Sequence, residues 1–367
     1  MINDKEKEEN KTTFNRVSKR WKESIDKVQE YEIVNDHKEV LESPFGLTSF
    51  NIEYQEYEKA ERLKKKLLKD YKDKRLEDVI KGKEFISEHG RCYQIETRDK
   101  ISLRMLDPKE ASEKILSNLK LIYGIGEIRE RILKENGYKT IEDLTKHPYF
   151  GLEASRFLEI LNKRETSQVI DWITRWVSKS DPLVLYSSAM HKKENFIIFD
   201  IETLGLFSRP VILIGLARIL DDDILIYQYL IRNIEEEPAV LKAFLSHIDE
   251  QSIFITFNGR AFDLPYIEER LAYYRMRGEL EKPHFDVLYF SRRAWGRELP
   301  NCKLKTLERY LLGIEREDDI PSALVPHFYE TYLKTNNIGP LMPIIEHNKQ
   351  DLITLAYLFF KLHEEWG

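Results

Sequence analysis

The chain of 367 residues has only two cysteines, Cys92 and Cys302, far apart and with no CxxC pair. That excludes a cysteine-type zinc site and a disulfide framework. Long apolar runs are missing too. The longest, Val211-Ile-Leu-Ile-Gly-Leu-Ala217, is far too short to span a bilayer, and residues 1–10 lack the apolar core of a secretory signal. The expected location is cytoplasmic, with no membrane contact. An excess of positive charge is also absent, because the net charge is −6. Residues 1–110 carry 25 basic and 25 acidic side chains, residues 111–190 carry 12 and 11, and residues 191–367 carry 21 and 28. A protein that held nucleic acid by charge alone would be basic. With 42% hydrophobic and 33% charged residues the chain reads as soluble and globular, and its length suits two or three domains.

Three regions differ in pattern. Residues 1–110 form a mostly helical, highly charged N-terminal region. It has a dense Lys/Arg run within 56–81 and a β-hairpin at 84–98, around His89-Gly90, placed to seal the junction between modules. The first ~20 residues read as disordered. The Lys/Arg run reads as a solvated helix face, with a surface for a nucleic-acid backbone as the alternative. Residues 111–190 read as helices followed by a linker around Asp181-Pro182. Within them Gly124-Ile-Gly126 lies between two helical patterns. Glycine permits positive φ in a tight turn, and the N–H groups that open the next helix suit a phosphate. Gly124 and Gly126 are therefore candidate nucleic-acid contacts. Together with residues 137–144 the pattern resembles a helix-hairpin-helix module, which grips the DNA backbone without reading sequence. A plain αα-turn is the alternative.

Residues 191–367 change character. Strand-like runs occur at 196–200, 211–219, 223–230 and 252–257, with helical stretches near 237–249, 262–277, 303–312 and 347–362. The order implies an α/β fold with a mixed sheet that starts as a three-stranded meander.

This most acidic region also holds the chemistry. Asp200 and Glu202 end an apolar strand, and positions i and i+2 share a face. Asp263 follows the run 252–257 at the start of a helix. His347 and Asp351 are four apart, one helical turn on the same face. Such acids repel one another unless cations neutralise them. Oxygen ligands suit Mg²⁺ or Mn²⁺, and two such ions would stabilise the attacking and leaving oxygens of a displacement at phosphorus. On this reading Asp200, Glu202, Asp263 and Asp351 are metal ligands and His347 orients or deprotonates the water. Asn258 is a turn residue or a substrate contact. Asp286 is a helix cap or a fifth acid near the site.

The segments FDIETLG, FNGRAFDLPY and HNKQD, in that order, resemble motifs I, II and III of the DEDD exonucleases. Over roughly residues 192–363 the chain is more similar still to the YprB-type ribonuclease H-like family, with His284-Phe-Asp-Val-Leu, LPNCKLKTLERYLLGIERED and IIEHNKQDLITLAYLF following its run. The resemblance implies a ribonuclease H-like fold, two divalent ions and 3′-to-5′ hydrolysis, with single-stranded DNA as the expected substrate. It also implies that Leu204, and with it Phe207, stacks on the 3′ nucleotide. One departure is visible: His-type members place the histidine five residues before the last Asp, whereas His347 stands at the four-residue spacing of the Tyr-type. An RNA exonuclease, a structure-specific endonuclease and a non-catalytic nucleic-acid-binding module stay open as alternatives.

Overall fold

The computed structural model describes residues 54–163, 165–206 and 208–367. The expectations for the first ~20 residues, for the rest of 1–53 and for Phe207 lie outside the described residues. Helix α1 (Tyr54–Asp70) carries much of the Lys/Arg run. Its Ala60, Leu63 and Leu67 recur at helical spacing and are buried, so one stripe docks onto the apolar layer below.

The hairpin forms as expected, from β1 (Gly82–Ser87) and β2 (Gly90–Lys100), with Gly90 at φ +109° in the turn. β2 pairs antiparallel with β5 (Asp223–Leu230) and extends the main sheet. Among the described residues that sheet has seven strands in the order β1-β2-β5-β4-β3-β6-β7, with β3 (Phe196–Thr203), β4 (Val211–Leu220), β6 (Ile253–Thr256) and β7 (His284–Asp286). The meander β3-β4-β5 is antiparallel, whereas β3-β6 and β6-β7 are parallel. Strand β3 therefore sits where the two pairing modes meet. The parallel partners are reached by the crossover helices α7 (Glu237–Leu245) and α8 (Asp263–Tyr273), the usual consequence of parallel pairing.

Both faces are covered, which is why the strands are near-continuous apolar runs. One layer takes Ile197, Phe199 and Ile201 of β3 against α1, α7, α8 and α10 (Val325–Thr335). The other takes Phe196 and Ile198 against the long helix α11 (Leu341–Trp366) and the helical module. That module contains α2 (Pro108–Leu116), α3 (Glu127–Glu135), α4 (Gly151–Lys163), α5 (Thr166–Ile173) and α6 (Pro182–Ser188). Its Ile115, Phe157 and Val184 belong to the same core cluster as Phe359 of α11. Asp181-Pro182, expected in a linker, instead opens the buried helix α6: Asp181 accepts from the Leu183 N–H at 3.1 Å and Pro182 occupies the first turn.

Three further differences have local causes. α11 starts at Leu341 rather than 347, because Pro343 lies in the first turn, where its missing N–H costs nothing. The stretch 303–312 is a short turn, Leu304–Leu307, followed by a π-helical turn, Glu308–Leu312. Helices α9 (Val287–Trp295), capped by Asp286, and α10 were not expected as helices. Among the described residues no helix is long and apolar enough to cross a membrane.

Candidate active site

Asp200 and Glu202 stand on the face of β3 that α11 covers. Asp200 is half-buried and Glu202 is 6% exposed. Asn348 of α11 reaches across to donate its Nδ2 to Asp200 Oδ2 at 2.8 Å and to the Asp200 carbonyl at 3.2 Å. Gln228 of β5 donates Nε2 to Asn348 Oδ1 at 3.0 Å and fixes that amide. The approach needs Gly215 on β4, where a Cβ would stand 2.0 Å from Asn348 Oδ1. Sequence reasoning passed over Asn348, although it lies inside HNKQD beside His347.

Asp263 is the first residue of α8 and is buried. It does not cap its own helix. Its Oδ1 accepts the Ile201 N–H at 3.1 Å, so the carboxylate is held against the strand between Asp200 and Glu202. The loop before it is held by Asp286, which accepts from the Asn258 N–H at 2.8 Å and the Arg260 N–H at 3.1 Å. Asn258 itself has φ +62° and closes the turn, with its carbonyl accepting from Ala261 and Phe262. Asp286 is thus a helix cap that also positions this loop.

Asp351 stands on α11 one helical turn after His347 and is engaged by Arg316, which also makes a bidentate pair with buried Glu308 at 2.6 and 2.8 Å. His347 is 5% exposed. Its Nδ1 lies 2.6 Å from Asp319 Oδ1 and its Nε2 lies 3.2 Å from Ser322 Oγ and 3.6 Å from Asp351 Oδ2. Neither Arg316, Asp319 nor Glu308 was singled out from the sequence. They act across 28 to 46 residues of chain, through contacts to His347, Asp351 and Thr354.

Electrostatics tie the four acids together. Burial pushes the Asp200 and Glu202 carboxyls well above the usual carboxylate range, and the charges of Asp351 and Asp263 add to it. Burial pushes Asp263 up to about 7 against the pull of the Ile201 N–H, with Asp286 and Asp351 adding repulsion. Burial would lower His347, but Asp351 and Asp319 beside it outweigh that and hold it above its ordinary value. Hard oxygen donors that resist ionising together are the set a divalent cation would stabilise, so the side chains fit Mg²⁺ or Mn²⁺ chemically. Among the described residues, however, no three acid, histidine or cysteine side chains converge as a ready-made metal cage. Asn348 holds Asp200, the strand N–H holds Asp263, and Arg316 holds Asp351.

The remaining expected contacts lie elsewhere. Leu204 is 7% exposed in the apolar layer, with its N–H bonded to the Pro210 carbonyl at 2.9 Å, so its side chain is not presented for stacking in this conformation. Gly124 has φ +80° and Gly126 is the N-cap residue of α3. The Gly124 carbonyl is taken by Arg129.

Fold and site define a class of protein. Residues 197–363 match the family model described as RNase_H superfamily. The chain is 32% identical over 204 residues to "Uncharacterized protein YprB" of Bacillus subtilis (strain 168), which covers 54% of this chain and 49% of that relative. It thus spans about half the length of the curated relative that it matches.

Proposed function

We propose that the protein is a metal-dependent nuclease, a 3′-to-5′ exonuclease acting on single-stranded DNA. The observation that carries the reading is the gathering of Asp200, Glu202, Asp263 and Asp351, from β3, α8 and α11, into one mutually repelling set beside His347. Two bound divalent ions would supply charge for the attacking and leaving oxygens and would acidify a coordinated water. Asp200, Glu202, Asp263 and Asp351 would hold them. His347, oriented by Asp319 through Nδ1, presents Nε2 as the proton-accepting or water-orienting atom. Asn348 and Asp286 keep Asp200 and the Asp263 loop in place. The ribonuclease H superfamily supports a nucleic-acid substrate; DNA rather than RNA, single strand and polarity are this proposal's own. The test is digestion of 5′- and 3′-end-labelled DNA and RNA strands with and without Mn²⁺. Mononucleotides released from the 3′ end of DNA, only with metal, are expected. Preferential RNA cleavage or internal cuts would replace the substrate assignment.

A further inference from the structure

A groove of about 690 Å³ lies beside the candidate active site. One wall is α1 and the other is the segment 305–321. Its floor carries Arg316 and Asp319, the side chains that engage Asp351 and His347. Lys59, Arg62 and Lys66 line the α1 wall. Their i, i+3, i+7 spacing puts them on one helix face. Facing them are Lys305 and Arg309, a turn apart. Two rows of cations from segments some 240 residues apart in sequence thus line the same groove as Arg316 and Asp319.

Three of these cations have weak partners, whereas Lys305 is held by Asp319 at 2.7 Å. Arg62 pairs with Glu58 on its own helix, Lys66 with Asp318 at 3.3 Å and Arg309 with Glu315 at 3.5 Å, all between exposed side chains. Exposed pairs of this kind contribute little and exchange readily for another anion. Anions with regularly spaced charges, such as phosphates of a polynucleotide, suit two such rows.

We propose that this groove binds the sugar-phosphate backbone of a single nucleic-acid strand and delivers its end to Asp351 and His347, with Lys59, Arg62 and Lys66 as phosphate contacts. The proposal rests on the nuclease reading of the site and gives the charged run of α1 a function. Glu56, Glu308, Glu315, Asp318 and Asp319 also line the groove and oppose an anion, so salt dependence is the discriminating readout.

The test is fluorescence anisotropy of a labelled oligothymidine with the full chain in EDTA, at several salt concentrations. Lys59→Gln/Arg62→Gln/Lys66→Gln should weaken binding tenfold or more and lower the slope of log K against log salt by about 2, at about 0.7 per phosphate contact. Lys72→Gln/Lys74→Gln, exposed just beyond α1 and outside the groove, should do neither. Arg309→Gln probes the opposite wall independently of how α1 docks and should lower the slope by about 0.7. A triple variant that binds like the Lys72/Lys74 control, or a wild-type chain that binds no strand, would overturn the groove. Because binding is read without metal, these results are separate from the cleavage assay that decides the nuclease reading.

Discussion

Asp200 shows how a single residue records the function of a site in its own discomfort. Its folded-state pKa is raised by burial and by three neighbouring acids, so ionising it at neutral pH costs folding stability. Asp200→Asn keeps an oxygen for the Asn348 amide and removes the charge. In metal-free buffer at pH 7.5 it should raise the melting temperature, by roughly 2–4 °C for each kcal/mol relieved; an unchanged or lower value in calorimetry would contradict the repulsion. Arg316 makes the opposite contribution, as a resident cation on Asp351. It and a divalent ion compete for the same carboxylate. The paired variant Glu308→Gln/Arg316→Gln, which leaves no orphaned buried charge, should bind Mn²⁺ at least about tenfold tighter in a titration of free Mn²⁺ by electron paramagnetic resonance. Equal affinity would show that Arg316 does not occupy the cation's place. The candidate set was open to sequence reading because the i, i+2 spacing of Asp200 and Glu202 and the i, i+4 spacing of His347 and Asp351 each fix a shared face, while Asp263 opens the helix that follows a strand. Arg316 and Asp319 were not, because their meaning comes from contacts 28 to 35 residues away.

At the scale of elements, a buried clamp keeps the two crossover helices and the β4 strand in register under the site. Glu237, at 0% exposure on α7, accepts from Arg270 of α8 at two distances of 2.7 Å, from the Tyr274 hydroxyl at 2.7 Å and from the Val211 N–H at 2.9 Å. Removing one partner of a buried pair leaves the other uncompensated, so Glu237→Ala should cost about 3–5 kcal/mol in urea unfolding. A loss under about 1 kcal/mol, the range of exposed pairs, would contradict the clamp. The strands of the meander and the hairpin were readable from apolar runs and from the His89-Gly90 turn. The role of the hairpin was not, since nothing local says that β2 pairs with β5 across some 130 residues. Asp181-Pro182 misled for a related reason: the same dipeptide punctuates linkers and starts helices, and only the burial of Leu183 to Ser188 decides between them.

The whole molecule carries a pH signature outside the acids. His363 is buried between α11 and α6, with Nε2 3.0 Å from Ser188 Oγ, and burial lowers its pKa to about 3. A histidine depressed in the fold is neutral there and protonates first in the unfolded chain. Its stabilising contribution is therefore present above the unfolded value of about 6.5 and is lost as pH falls toward the folded one. Between pH 7.5 and 5 the wild-type chain should lose about 2 kcal/mol more unfolding free energy than His363→Gln; parallel pH curves for the two would contradict this. The central claim is that the four acids of the site perform metal-dependent phosphodiester hydrolysis. Its most direct measurement is release of the terminal nucleotide from a 3′-labelled DNA strand by wild type and by Asp200→Asn, side by side in Mn²⁺. Wild type should release mononucleotides, and the variant should be slower by about a thousandfold, the several kcal/mol a positioned metal contributes. Equal rates, or no hydrolysis of any strand by the wild-type chain with either metal, would contradict it.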